Sequence, residues 1–210
     1  MLNFFKIKLW AAYTKIRAGK YGQLTPTSTL RRGVKVYNKK NLFMAEHTNI
    51  DPGSVIMNTR AKFILKKNSG AAIGLTVITG GHMSLVGTFR KSITNIDKDR
   101  LDVFKELDRD VIIEEDVWIA SNVTLLKGVV IGRGSIVGSG SVVRTSIPPY
   151  SIVIGNPAKI IGFVFTPDEI VEHEKILYPI EERISRAILE KNYDKYFIKR
   201  YNEIKSSTKL

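Results

Sequence analysis

Among side chains that do acid–base or nucleophilic work near neutral pH, the 210-residue chain offers three histidines and no cysteine. The missing thiol excludes disulfides, thiolate metal sites and a cysteine nucleophile. An imidazole titrates near pH 6.5 when unperturbed, which makes it the natural general base. His47 and His173 read most simply as surface or hydrogen-bonded residues. His82 follows Thr79-Gly80-Gly81 at the start of a long polar stretch. Loops on rigid scaffolds often carry catalytic groups, so His82 is the candidate base, with a plain surface role as the other reading.

The scaffold that must hold it is written in a period of six. Ile113, Ile119, Leu125, Ile131, Val137 and Val143 recur without a slip, and Val117, Val123, Val129, Ser135, Ser141 and Ile147 stand four after each. A helix would repeat at three and four and a half-buried strand at two, so neither accounts for the pattern. A branched aliphatic at the first place and a small or β-branched residue at the fifth suit a chain winding round a triangular prism. Each hexapeptide then forms one flat face, and coils stack as parallel strands about 4.8 Å apart around columns of aliphatic side chains.

The same phase appears at Ile50 and Ile56, with Ser54 in a fifth place, and resumes at Leu65, Ala71 and Val77 after a gap of nine. It lapses from Thr79 to Asp110, yet Val77 and Ile113 remain in phase. This predicts a loop over 79–110 projecting from an otherwise continuous prism, and an excursion that long inside a compact repeat is commonly functional or disordered. Pro148, Pro149 and Pro157 end the coils. Thr166-Pro167-Asp168-Glu169 supplies an N-cap, a first-turn proline and a capping-box glutamate, so a helix is expected to about Tyr178, where Pro179 stops it. A second helix is expected with Ile180, Ile184, Ala187 and Ile188 on one face and a Glu182–Arg186 pair. Both would cover the end of the prism.

At the other end, Leu2, Phe5, Leu9, Tyr13 and Ile16 share one side of a helical wheel, and an extended connector is expected from Tyr21 to Lys40. The first helix serves either as a lid on the prism or, because lysines flank its aromatic face, as a membrane-surface helix; the lid is the preferred reading. The expected organisation is an N-terminal helix and connector over 1–40, the prism over 41–165 and a helical cap over 166–210. No stretch is apolar enough to span a membrane, and the start is a poor secretory signal. The net charge of +13 draws anions, but Lys and Arg run from Lys6 to Lys209 without an arginine-rich run or a nucleic-acid-binding signature. A nucleic-acid partner is therefore not expected.

The segment VWIASNVTLLKGVVIGRGSIVGSGSVVRTSIPPYSIVIGNPAKII, preceded by ITGGH some thirty residues upstream, resembles the hallmark of the hexapeptide-repeat acyltransferases, the left-handed parallel β-helix enzymes. Within them it is similar to the sugar and capsular-polysaccharide O-acetyltransferases related to maltose and galactoside acetyltransferase, and to the xenobiotic acetyltransferases. The resemblance runs from Ile50 to Phe165. It implies an all-β core, a left-handed parallel β-helix with a catalytic loop and terminal helices. It also implies a cytoplasmic homotrimer with active sites between neighbouring prisms, and acetyl-CoA as co-substrate with no metal required.

His82 corresponds to that family's catalytic histidine, and Glu106 stands at the offset where related sugar acetyltransferases carry a glutamate near it. Ala120, Ser121 and Gly138 match positions along the pantetheine arm, and Arg144 and Lys159 match cations near the CoA phosphates. The turn at Ala120 and Ser121 is the expected source of oxyanion N–H donors. Two departures stand out. Met83 follows His82 where many relatives have a polar residue, and Ala120 replaces the usual glycine.

The function so implied is acetyl transfer from acetyl-CoA to the hydroxyl of a sugar or polysaccharide precursor. Acetylation of an antibiotic or an amine uses the same machinery. A non-catalytic trimeric scaffold is the alternative of another class, and a zinc hydrolyase on the same prism would need the three dispersed histidines to converge.

Overall fold

The aliphatic positions of the repeat stand side by side in three columns. A computed structural model describes residues 20–199. The first sheet joins β1 (Gln23–Leu24), β4 (Leu42–Met44), β7 (Phe63–Leu65), β10 (Val111–Ile113) and β13 (Val130–Ile131). The second joins β2 (Thr29–Leu30), β5 (Asn49–Ile50), β8 (Gly70–Ala71), β11 (Trp118–Ile119), β14 (Ile136–Val137) and β16 (Ser151–Ile154). The third joins β3 (Lys35–Val36), β6 (Val55–Met57), β9 (Thr76–Ile78), β12 (Thr124–Leu126) and β15 (Val142–Val143). All of these pairings are parallel, and the chain visits the sheets in rotation, so three strands complete one coil. Parallel sheets visited this way by a hexapeptide repeat fit a left-handed β-helix.

Register fixes the core. Ile50, Ala71, Ile119, Val137 and Val153 align in the second sheet, and Ile56, Val77, Leu125 and Val143 in the third. All nine are fully buried. Ser54, Ser69, Ser135 and Ser141 fill fifth places without orphaned hydroxyls. Ser141 Oγ, for example, donates to the Gly138 carbonyl at 2.6 Å and accepts from Gly155 N–H. At several corners the chain turns three residues after an aliphatic, in a left-handed conformation held by Asn68, Asp116, Asn122, Gly128 or Gly140. Asn, Asp and Gly tolerate that region best. His47 is one of these corner residues, with φ of 57°.

The prism begins earlier than its clear phase. Leu24, Leu30 and Val36 lie six apart and pair with Met44, Ile50 and Ile56, so the stretch expected to be a connector over 21–40 is itself the first coil. The helix expected before it lies outside the described residues.

At the other end, β17 (Lys159–Phe163) turns back antiparallel on β16. The first cap helix runs from Pro167 to Leu177 with Thr166 and Glu169 forming the expected capping box. The second differs from expectation. Ile180–Glu182 is a short 3-10 turn, and the helix proper spans Arg186–Tyr193. Its start after Ser185 shifts the buried face to Leu189, leaving Ile180 and Ile188 exposed. Arg186 pairs with Asp168 at 2.6 Å and Glu190 at 2.7 Å rather than with Glu182. Phe163, Tyr193 and Phe197 stack in sequence to cover the last strand. No described helix is long and apolar enough to cross a membrane.

Candidate active site

The excursion over 79–110 leaves and re-enters the prism through one hydrogen bond, from Arg109 N–H to the Thr79 carbonyl at 2.9 Å. Thr79 is buried, and its hydroxyl reaches the Met57 and Ala61 carbonyls at 3.3 Å. Asp110 accepts from Lys62 N–H at 2.7 Å on the returning side. The loop folds round a short helix, Asn95–Leu101, capped by Thr94 and Asp97. These contacts hold Asp97 below its usual range, chiefly through Thr94 N–H.

His82 lies three residues beyond that fixed root, and its side chain is exposed. Three cations brace the loop that carries it. Lys98 Nζ donates to the Gly81 carbonyl at 2.7 Å, and Lys127 Nζ donates to the Glu106 carbonyl at 2.7 Å. Arg60 joins the short helix to the returning strand through Asp99 and through Asp108 at 2.8 Å. Hydrogen bonds to both carboxylates raise its pKa above the ordinary guanidinium value. None of these three was singled out from sequence, because the Arg60–Asp108 pair spans 48 residues and no local pattern announces it.

Glu106 makes its contacts within and beside the loop. Its carboxylate pairs with Arg109 at 3.2 Å, and its backbone serves Lys127 and Asp102. Among the described residues, no hydrogen bond or ion pair links it to the imidazole.

The remaining expected residues divide between edges of the prism. The Leu126–Ile78 register puts Thr79, Lys127 and Arg144 on the edge between the third and first sheets, where the loop also emerges. Ala120 and Gly138 lie on the edge between the second and third sheets, linked through Ala120 N–H to Val137 O and Gly138 N–H to Val153 O. Ser121 joins them there, its carbonyl accepting from Gly140 N–H at 2.9 Å. So does Lys159, exposed and paired with Ile154.

Two details sharpen these assignments. A Cβ on Gly138 would come within 2.6 Å of Ile154 Cγ2, so packing inside the chain already demands glycine there. The Ala120 N–H belongs to the sheet ladder, which removes it from the expected oxyanion pair and leaves that of Ser121.

The third edge holds a groove of about 520 Å³ lined by Glu114, Gly132, Arg133, Pro149, Ile184 and Tyr196. It adjoins a buried network in which Glu174 accepts from Tyr150 at 3.0 Å and Arg133 at 3.2 Å, while Arg133 also meets Glu115 at 3.3 Å. Burial together with the Glu174 charge drives the Tyr150 phenol far above its ordinary range. Neither His82 nor the Ala120 edge borders this groove. His173 packs against the Tyr150 and Phe165 rings, and His47 is at its corner. Among the described residues no group of three or more potential ligands is arranged to hold a metal ion.

Residues 110–145 match the family of bacterial transferase hexapeptide (six repeats). No curated protein matches the chain. A hexapeptide-repeat acetyltransferase from Vibrio cholerae O1 biovar eltor, solved with acetyl coenzyme A, is 26% identical over 74% of this chain and 78% of its own, with a TM-score of 0.60. A maltose O-acetyltransferase from Clostridium difficile 630 shares the fold at 21% identity over 70% of this chain and 72% of its own, with a TM-score of 0.59. AntD, an N-acyltransferase from Bacillus cereus solved with dTDP and 3-hydroxybutyryl-CoA, shares it at 15% identity over 78% and 94%, with a TM-score of 0.56. Residues 110–145 thus carry the bacterial transferase hexapeptide repeat on a three-sheet prism whose fold is similar to that of a hexapeptide-repeat acetyltransferase, which supports an acyltransferase enzyme.

Proposed function

We propose that the chain is an acetyl-CoA-dependent O-acetyltransferase that works as a homotrimer and modifies a hydroxyl of a sugar or glycan precursor. The observation that carries this reading is the division of the expected residues between two edges. His82 emerges at one, and Ala120, Ser121, Gly138 and Lys159 line another. A complete site then needs the His82 edge of one subunit against the Ala120 edge of the next. The loop supports the same reading, because Val86, Phe89, Val103 and Phe104 are each at least 75% exposed. Apolar side chains of this size exposed on one loop fit an interaction surface.

In this reading the pantetheine arm lies along Ala120, Ser121 and Gly138, with Lys159 of the same edge and Arg144 of the facing His82 edge meeting the CoA phosphates. His82 takes the acceptor hydroxyl proton as the oxygen attacks the thioester carbonyl. The Ser121 N–H faces the tetrahedral oxyanion, the carbon–sulfur bond breaks, and the imidazolium returns the proton to the departing thiolate. Base catalysis of this kind contributes on the order of 10² to 10⁴ in rate. No covalent acyl-enzyme forms and no metal takes part. Glu106, paired with Arg109, serves the acceptor or a neighbouring subunit's histidine.

The test is CoA release across a panel of sugars and glycans by the wild type and by His82→Ala. Acceptor-dependent release lost in the variant supports the reading, and release retained in the variant removes His82 from the mechanism. The fold shared with an N-acyltransferase favours a second reading, an amine acceptor, which the same panel resolves when amino sugars and aminoglycosides are included. A trimer without CoA affinity would instead be a scaffold.

A further inference from the structure

Lys and Arg occur throughout the chain, but Asp and Glu do not reach its beginning. Ten of the 33 basic residues and none of the 20 acidic ones precede Glu46, so +10 of the net +13 sits in the first 45 residues. Half of that excess is on the first coil. Arg31 and Arg32 follow β2, Lys35 lies in β3, and Lys39 and Lys40 open the turn Lys39–Asn41; all five side chains are exposed. Few carboxylates oppose them. Asp51 approaches Arg31 at 3.9 Å, and the exposed Glu46 is the other acid of the adjoining coil. Lys39 instead lies over the Tyr21 ring, and the ring of Tyr37 is 66% exposed among the cations.

Among the described residues the first coil is also the terminal one: β1, β2 and β3 stand first in their sheets, next to β4, β5 and β6. The cations therefore flank the third sheet at the end of the prism remote from the helical cap. The nineteen residues that precede this coil add Lys6, Lys8, Lys15 and Arg17 to a sequence carrying Phe4, Phe5, Trp10 and Tyr13. Basic residues interleaved with large aromatics are the composition of segments that lie on anionic bilayers. We propose that this end of the molecule docks on an anionic lipid surface, with Arg31, Arg32, Lys35, Lys39 and Lys40 facing the headgroups. Cations flanking one sheet, in a chain whose preceding sequence is rich in aromatics, favour a lipid surface over a nucleic acid, whose binders carry grooves or base-reading elements absent from the first coil.

The test is co-sedimentation of the full chain with phosphatidylcholine vesicles with and without phosphatidylglycerol, at low and high salt. Binding should require phosphatidylglycerol and be released by salt. Replacing the five coil cations by alanine should weaken it at least about a hundredfold, since each basic residue near such a surface contributes about fivefold. A control with the same charge change at Lys67, Lys91, Lys191, Lys195 and Lys199 should keep most of the binding. Failure to bind anionic vesicles, equal binding to neutral ones, or equal loss in both variants would overturn the proposal. So would tighter binding to a DNA duplex than to anionic vesicles. Should the five-alanine variant fail to fold, the lipid and salt dependence of the unaltered chain decides, and salt-insensitive binding counts against the proposal.

Discussion

Thr79 and Arg109, thirty residues apart, are joined by a 2.9 Å hydrogen bond from the Arg109 N–H to the Thr79 carbonyl. The excursion therefore starts and ends at one point on the prism, and His82 is tethered three residues from it. A catalytic base gains from such tethering because a displacement of about 1 Å can cost on the order of a hundredfold in rate.

Lys98 holds the carbonyl of Gly81, next to His82, and Lys127 holds that of Glu106 on the returning side of the loop. Lys98→Met should lower kcat about tenfold or more while leaving the KM for acetyl-CoA within about twofold. Steady-state kinetics separate the two constants, and a change confined to KM would place Lys98 with the cofactor instead.

Gly138 is pressed by Ile154 of the same chain. Gly138→Ala should destabilise by about 1–3 kcal/mol in urea unfolding, and adding Ile154→Ala should recover part of that loss. If glycine is needed only by the pantetheine, the single variant keeps its stability and loses acetyl-CoA affinity alone.

Glu174 is buried against Tyr150 and Arg133, with its second oxygen accepting from Ile184 N–H at 2.5 Å. Glu174→Ala leaves a largely buried guanidinium with Glu115 as its remaining carboxylate, so a loss of about 3 kcal/mol is expected. Thermal unfolding followed by circular dichroism measures it, and CoA release should persist below the new midpoint.

Asp116 holds a left-handed corner, and burial raises its pKa above the ordinary 3.8 despite the opposing pull of His173. A raised carboxyl pKa means that the folded state disfavours the charge. The penalty is absent below pH 3.8, grows above it, and is complete above the folded value. Asn68 and Asn122 already occupy equivalent corners. Asp116→Asn should thus raise the melting temperature at pH 7, with the gain fading as the pH falls toward 3.8.

The coils from Ile113 to Val143 were legible because every axial position is aliphatic and the spacing never slips. The first coil was hidden. Val36 and Met44 are eight apart, with the turn Lys39–Asn41 inserted, and Leu24 and Leu30 sit among polar residues. The limits of the excursion could be read because Val77 and Ile113 stay in phase across it. Its internal order could not, since Arg60 reaches Asp99 and Asp108 over distances in sequence that carry no periodic signal. The second cap helix was misplaced because Pro179 and the 3-10 turn after it delay its start until Ser185. Within the candidate site, Ala120, Ser121 and Gly138 are named only through the family resemblance, whereas the cations that hold the His82 loop become visible only in three dimensions.

The account turns on a site assembled from the His82 edge of one subunit and the Ala120 edge of another. His82→Ala and Ala120→Phe should each abolish acceptor-dependent CoA release. Co-expressed in equal amounts, they should assemble at random, so that about a quarter of all sites pair an intact histidine with an intact cofactor edge, one in each mixed trimer. Recovery of CoA release to about that fraction of wild type is the predicted result. Mixed trimers as inactive as either parent would contradict it.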